Sequence, residues 1–405
     1  VWGCRMCGNC ILQETMFICP MTCPKGLRNG LCGEASSEHC VVDENRECTW
    51  YLIYKRAETL GQLDKLLENN APVDGDRAGH ESWLHFADYW RNSPDKPKLI
   101  DFIANRERFN EGAEKVFLSY RQPDWWQGDA EYHAPGYTES MSRLEANLRS
   151  QPLITTADVV PPEESDPEIL AAKGELLRDL VVSANYSDNG FSTSRMSSLA
   201  CSKLSLDAGL EPVLQIQGRD YTRMAVQSIA LGASALGIRN VLCPGGDFHN
   251  FGPAPKSMPD QFDLDALQIL WVLRRMRDEG IFIDGREMEK PPVFFLGATG
   301  SPFSAPHKYD AFRVEKKINA GAQFLQTQMI FDTDIFTGWL EALDKRGLVE
   351  RVFIMGTVLF LDDAEMARSM AGDPGIVIPE TYLERMDAAA TKDAAGSKEH
   401  QLEAG

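Results

Sequence analysis

The chain of 405 residues is 43% hydrophobic and 25% charged, ordinary proportions for a globular protein with a real core. Its formal charge of −19, from 41 basic against 60 acidic residues, argues against a nucleic-acid or anionic-membrane binder, since both need a basic face. No apolar run approaches the roughly 20 residues that span a bilayer. No signal peptide is recognisable, and Val1 in place of Met reads as a missing start. The length allows one large domain plus a smaller one, and the expected compartment is the cytoplasm.

The first 90 residues read as a cysteine-rich metal-binding domain. Cys4, Cys7 and Cys10 follow a C-x2-C-x2-C spacing, and Cys19, Cys23, Cys32, Cys40 and Cys48 come after them. Thiols this dense in a reducing compartment bind metal more readily than they pair as disulfides. Bacterial ferredoxins use such a run, with a distant fourth cysteine before Pro, to hold a four-iron cubane. The eight thiolates here would serve two 4Fe–4S clusters. Cys7-Gly-Asn-Cys10 equally resembles a zinc knuckle, because tetrahedral zinc also takes four sulfurs. Iron–sulfur, zinc and a disulfide-stapled module therefore remain three open readings. The segment 48–68, CTWYLIYKRAETLGQLDKLLE, has apolar residues at helical spacing and is expected to pack against the metal loops. His39 and His80 are weaker ligand candidates, of a type more often found on surfaces or in cores.

Residues 91–138 form a connecting segment without clean periodicity or internal repeats. Trp125, Trp126, Tyr132 and Tyr137 sit beside helix breakers there, a pattern that predicts docking onto the second domain. Stacking of a flat substrate ring on Trp125 or Trp126 is the alternative.

From 139 to 386 short β-branched runs alternate with amphipathic stretches. Strands are predicted at 153–160, 181–186, 212–217, 240–244, 292–297, 323–330, 352–357 and 376–378, with helices between them. Eight such repeats predict an α/β fold, a (β/α)8 TIM barrel preceded by the small cysteine-rich domain. A doubly wound open sheet would want a glycine-rich turn after the first strand, where VVPPEESDPE stands instead. Residues 387–405 are low in complexity and predict a disordered tail.

Barrel active sites gather at the C-terminal strand ends. Those ends carry Asp158, Ser187-Asp188, Gln217-Gly218-Arg219-Asp220, Gly245-Gly246-Asp247, Ala298 to Ser301, Gln326, Gln328 and Gly356. Asp158 and Asp247 with the Gln328 amide would give one mouth acid–base and hydrogen-bonding capacity. Asp188 and Asp220 read equally well as caps of the following helices. Gly245-Gly246 would let a ligand approach the backbone closely, as would an ordinary tight turn.

Three blocks, SRLEANLRSQPLITTADVVPP, GRDYTRMAVQSIALGASALGIRNVLCPGGD and EKKINAGAQFLQTQMIFD, resemble the catalytic barrel of methylenetetrahydrofolate reductases over about 139–385. The cysteine-rich start, with TWYLIYKRAE, is similar to the module called the methylenetetrahydrofolate reductase C-terminal domain. The resemblance implies hydride transfer between a reduced flavin, FAD or FMN, and the one-carbon unit of methylenetetrahydrofolate, with tetrahydrofolate as the carrier. It implies that Asp158, where the family has Glu, helps protonate N10. Asp247 matches the family's Asp near flavin and pterin, with Gly245 in place of the adjoining Arg, and Gln328 matches its pterin-binding Gln. Ser187, Asp310 and Lys317 match flavin contacts, with Gln217 and Gly246 beside them, whereas Ser301 and Gly297 replace a family His and Tyr. From the residues alone, Asp310 and Lys317 read as a salt bridge on one helix.

Three functions follow from this. The first is a reductase whose iron–sulfur module relays electrons from ferredoxin, a redox subunit or NADH. The second is a folate-dependent methyltransferase or demethylase with structural zinc, and the third a non-catalytic scaffold in a redox complex. A homo-oligomer is expected, without nucleic-acid or membrane partners.

Overall fold

The computed structural model describes residues 4–30, 32–33, 39–79, 82–121, 125–126, 139–246, 262–371, 375–393 and 398–405. Seven parallel strands form one sheet in strictly sequential order: β1 (Ala157–Asp158), β2 (Ser183–Tyr186), β3 (Glu211–Gln215), β4 (Asn240–Cys243), β5 (Phe295–Gly300), β6 (Phe324–Met329) and β7 (Phe353–Thr357). Sequential parallel order with a helix in each crossover is a TIM-like half-barrel. The run at 376–378 forms no strand among the described residues, and Ile376 lines the mouth instead. The sheet nevertheless curls: Gln326 on β6 donates to the Asp158 carboxylate on β1 at 3.0 and 3.1 Å, across the interior from the far side of the order.

The strand side chains alternate, with one register irregularity on β6 between Gln326 and Met329. Leu214, Val241, Cys243, Leu296, Ala298 and Leu325 face outward into the large core shared with α8 (Arg223–Ala235) and α9 (Ala266–Asp278). Val213, Leu242, Phe295, Phe324 and Phe353 face inward and fill the lower interior. Leu144, on α5 (Arg143–Ser150), plugs the bottom, and Glu211 caps that helix by accepting from the Arg143 and Leu144 amides at 2.9 and 2.7 Å. Above this apolar floor the same inward rows turn polar, through Gln215, Gln326 and Gln328. At Gly297 a Cβ would stand 2.2 Å from the Phe324 ring, so β5 needs glycine there.

Before the barrel, the described residues between 4 and 79 wrap a small core around α1 (Thr49–Thr59). Trp50, Tyr51, Ile53, Tyr54 and Ala57 recur at helical spacing and are buried together with Met16 and Leu27. Phe262 and Tyr309 of the barrel half complete that cluster, so the module docks on the barrel at the C-terminal strand ends. Tyr54 and Tyr309 lie 4.9 Å apart between ring centroids, and Glu58 accepts from Lys308 and Tyr309 at 2.6 and 2.9 Å. Asp265, the N-cap of α9, accepts from Asn29 Nδ2 at 2.9 Å and the Arg28 amide at 3.2 Å.

Three helices, α2 (Ser82–Asn92), α3 (Leu99–Ala104) and α4 (Arg106–Arg121), make the connection. Trp126 after them is buried and stacks on Trp271 of α9, centroids 3.8 Å apart, with its indole N–H on the Asn69 carbonyl at 3.0 Å. That is the docking role the sequence predicts, and it leaves Trp126 no open face for a substrate. Tyr132, Tyr137 and His80 lie outside the described residues.

Helices α6 (Pro167–Leu177), α7 (Ser198–Asp207), α10 (Asp310–Asn319) and α11 (Thr333–Asp344) complete the crossovers, and α12 (Ala364–Met370) follows β7. At the end, α13 (Glu380–Ala390) runs past the composition-based boundary at 386, and α14 (Glu399–Ala404) follows. Gln401 anchors α14 by bonding Asp393 at 2.9 Å and the Ala364 amide at 3.0 Å, partners that composition does not reveal. Among the described residues no helix is long and apolar enough to cross a membrane.

Candidate functional site

A cavity of about 330 Å3 opens at the barrel mouth. Its floor comes from the strand ends: Gln215 and Gln217 after β3, Pro244 to Gly246 after β4, Thr299 and Ser301 at β5, and Gln328 on β6. Its roof is the module, through Lys25, Leu27, Asn29, Gly30, Cys32 and Gly33. Gly246 holds φ +85, which glycine alone adopts freely, and its carbonyl accepts from Lys25 Nζ at 3.4 Å.

Two buried acceptors in this wall lack partners among the described residues: Gln217 Oε1 and Gln328 Oε1. The Gln328 amide is fixed by donating to the Gly33 carbonyl at 3.0 Å. An unmatched buried oxygen is costly unless a ligand supplies the donor. Both therefore suit the N–H edge of a heterocycle.

Asp158 stands at the end of β1 and is exposed, outside the residues lining the cavity. Asn185, opposite it on β2, donates to Oδ1 at 2.5 Å, and Gln326 reaches both oxygens. Gln326, which holds Asp158, stands two residues before Gln328 on β6, where the register is irregular. Two amide clamps hold the short aspartate side chain in one orientation.

A smaller recess joins the cavity beside α10, lined by Tyr54, Ser301, Asp310, Arg313, Lys316 and Lys317 among others. Lys317 Nζ donates to the Thr299 carbonyl at 2.5 Å. Burial, then Arg313, depresses its pKa from 10.5 to about 7. Lys316 is pushed to about 7 by burial, against the raising influence of Asp265. Lys316 Nζ and Arg313 Nη1 have no hydrogen-bond partner among the described residues. Asp310 is buried with its carboxylate turned to Arg313 and, at 3.3 Å, to His307. The predicted Asp310–Lys317 bridge thus gives way to an Asp310–Arg313 pair that leaves Lys317 facing the cavity.

The structure brings Gln217, Gly246, Gln328 and Lys317 to one cavity, with Asp310 next door. Ser187 follows β2 and is not among the cavity's lining residues. Asp247 lies outside the described residues. Asp188 is buried and accepts from the Ser198 amide at 2.8 Å and Tyr221 Oη at 2.9 Å, which makes it a helix-capping group. Asp220 pairs with Arg219 at 2.8 Å. Sequence reasoning missed the module roof, the Asn185 clamp and Asp265. Only Asp265 left a local signal, the Asp265-x-x-Gln268 capping box of α9.

None of the eight module cysteines is in a disulfide, nor are Cys201 and Cys243 in the barrel. Cys23, Cys32, Cys40 and Cys48 line a common recess with His39. Burial raises Cys23 to about 11 and Cys48 to about 12. It likewise raises Cys10 to about 11. Among the described residues no three His, Cys, Asp or Glu side chains are grouped as one bound ion would need.

The fold and this mouth define a TIM-like α/β protein whose mouth cavity is roofed by a cysteine-rich module. Residues 143–400 match the profile of methylenetetrahydrofolate reductase, and residues 2–76 that of methylene-tetrahydrofolate reductase C terminal. The chain belongs to the methylenetetrahydrofolate reductase family. No curated protein matches it. Among solved structures it is similar to an uncharacterized protein from Clostridium thermocellum that binds two copies of 5-methyl-5,6,7,8-tetrahydrofolic acid, at 13% identity and TM-score 0.43, covering 61% of this chain and 80% of that one. A 2,3-dimethylmalate lyase matches at 10% identity and TM-score 0.33, covering 63% of this chain and 98% of that one. Both scores are too low for either likeness to bear on this chain's chemistry.

Proposed function

We propose that the chain is a flavin-dependent enzyme interconverting 5,10-methylenetetrahydrofolate and 5-methyltetrahydrofolate, with electrons delivered through the cysteine module. The observation that carries the reading is the pair of unmatched acceptors, Gln217 Oε1 and Gln328 Oε1, in the wall of the mouth cavity of a family member. A pterin or an isoalloxazine presents the ring N–H groups that such acceptors need. The residues also fit a flavin's phosphate: the half-buried Lys317 with the buried Lys316 and Arg313 line a basic recess in which Lys316 Nζ and Arg313 Nη1 lack partners among the described residues. Bound there, the flavin would supply the hydride chemistry.

The chain's own groups would do the rest. Gln328, pinned by Gly33, and Gln217 would orient the ring by accepting its N–H groups. Asp158, oriented by Asn185 and Gln326, would exchange the proton at folate N10 as the five-membered ring opens or closes. The module roof would exclude water from the reacting face. Cys23, Cys32, Cys40 and Cys48 around one recess offer four thiols, a set that either a four-iron core or a zinc ion would take.

The test is anaerobic oxidation of 5-methyltetrahydrofolate by an artificial electron acceptor, with Gln328→Ala and Gln217→Ala beside the wild type. Each substitution should raise KM for the folate about tenfold or more, the discrimination expected of a lost hydrogen bond to a buried group. Methyl transfer without acceptor reduction would point to the transferase reading instead.

A further inference from the structure

The module decides the polarity of Gln328 at the mouth. A glutamine amide offers a ligand either its oxygen or its NH2, and a half-turn of the amide exchanges them. At Gln328 the choice is made by Gly33, 295 residues earlier in the chain. The Gly33 carbonyl can only accept, so the NH2 end must face it, and it does so at 3.0 Å. The Gln328 oxygen is left buried in the cavity wall, without a partner among the described residues. Turning the amide over would set two acceptor oxygens against each other.

Gly33 is itself held in place. Ser304, fully buried, donates through Oγ to the same carbonyl, and the Ser304 carbonyl accepts from Arg313 Nη2 at 2.9 Å. Two donors on one carbonyl occupy both of its lone pairs. Ser301 packs against the Gly33 Cα: a Cβ there would stand 2.5 Å from Ser301 Oγ but 3.6 Å from Ser301 Cβ. The φ of Gly33 is not positive, so the backbone itself would accept alanine and Ser301 Oγ is the obstacle. Two other polar roof residues are committed elsewhere. Asn29 donates to Asp265 at 2.9 Å and to the Asn70 carbonyl at 3.1 Å, and accepts from the Asn70 amide at 2.6 Å. Lys25 reaches the Gly246 carbonyl at 3.4 Å.

We propose that Gly33 is a specificity-determining positioning residue: its carbonyl locks Gln328 as an acceptor, so that the mouth takes a heterocycle presenting a ring N–H and rejects one presenting a bare ring nitrogen. The choice of ring rests on the folate reading above. A pteridine with a 4-oxo group carries a hydrogen on ring nitrogen N3 and satisfies the Gln328 oxygen. Its 4-amino counterpart has a lone pair on N3, which would face that oxygen unmatched.

The experiment measures direct binding of tetrahydrofolate and tetrahydroaminopterin to full-length chains of equal metal content, at a pH where both rings are neutral. The two ligands differ only in the 4-oxo, N3–H edge against the 4-amino, bare-N3 edge. The wild type should prefer tetrahydrofolate about tenfold or more, the discrimination expected of one buried hydrogen bond replaced by an unmatched oxygen. Gly33→Ala forces the loop off Ser301 and releases the amide, and the preference should fall to about threefold or less. Adding Ser301→Ala removes the obstructing Oγ and should restore the preference. Weaker binding of both ligands in Gly33→Ala with the preference kept is the mark of a merely structural role and overturns the lock. A wild type without preference also overturns it, as does a preference that Ser301→Ala fails to restore. A ligand-free readout separates the lock from the folate reading. With isotope-labelled glutamine, the Gln328 NH2 is assigned by its disappearance in Gln328→Ala. In the wild type it should exchange with solvent about tenfold or more slowly than free glutamine, and in Gly33→Ala the protection should be lost. Rapid exchange in the wild type overturns the lock even if Gly33→Ala does not fold. A wild type that binds neither ligand removes the folate reading and leaves the exchange result to judge the lock.

Discussion

Lys317 should make flavin binding fall with rising pH. In the ligand-free chain burial, reinforced by Arg313, brings its pKa from 10.5 down to about 7. A phosphate against the ammonium would restore the charge, so binding above pH 7 must draw a proton from solvent. The free form has lost that proton while the bound form keeps it. Affinity should then weaken about tenfold per pH unit, or about a hundredfold between pH 7 and pH 9. Neighbouring groups leave this slope visible: Arg313, lowered to about 10 by burial, stays charged throughout, and Tyr54, raised to about 12, stays neutral. Asp310 is committed to Arg313 and His307. Lys316, also near 7, would steepen the slope if it took up a second proton. Stability of the ligand-free chain should run the opposite way. A folded pKa below the unfolded value means that the unfolded chain binds more protons between pH 7 and 10.5, so stability rises with pH across that window. The fall from 10.5 to about 7, at about 1.4 kcal/mol per pH unit, sets an upper bound of about 5 kcal/mol. Fluorescence titrations of FMN and FAD across this range, with Lys317→Met alongside, read the effect. Affinity independent of pH in the wild type, or unweakened in Lys317→Met, would refute the assignment of the recess to a phosphate.

Other substitutions probe the barrel. Asp158→Asn should lower turnover about a hundredfold or more with little change in KM for the folate, as expected for a group acting by proton transfer rather than binding. Equal losses in both parameters would move Asp158 into the binding set. Gly297→Ala drives a methyl against the Phe324 ring and should cost about 1–3 kcal/mol, seen as a lowered Tm, with partial rescue by adding Phe324→Leu. A Tm equal to wild type would contradict the interior packing. Burial raises Cys201 to about 12 and Cys243 further still. In native metal-free protein, alkylation should therefore leave these two buried thiols unlabelled while the exposed Cys4 reacts, with peptide mass mapping as the readout.

The strands were legible because parallel strands buried on both sides read as short apolar runs between helical patterns. Their limits were less so. The fifth was expected at 292–297 but pairs from Phe295, because Pro291 and Pro292 cannot donate to a ladder. The first was expected at 153–160 and pairs only at Ala157–Asp158. Reading the C-terminal strand ends as the barrel mouth placed Gln217 and Gln328 there, because a parallel barrel gathers those ends on one face. What the sequence could not disclose was long-range: Gly33 meeting Gln328, Asn29 meeting Asp265, and Cys32 at the cavity wall join segments some 200 to 300 residues apart. No local periodicity encodes which surface a cysteine-rich module will cover.

The most direct test of the reductase account is the visible spectrum of anaerobically purified protein, supplied with FMN or FAD if none is retained, before and after 5-methyltetrahydrofolate is added. The account predicts a bound flavin band that bleaches as the folate is oxidised. A flavin band that stays unchanged with the folate present, or a protein that binds neither flavin, would contradict it.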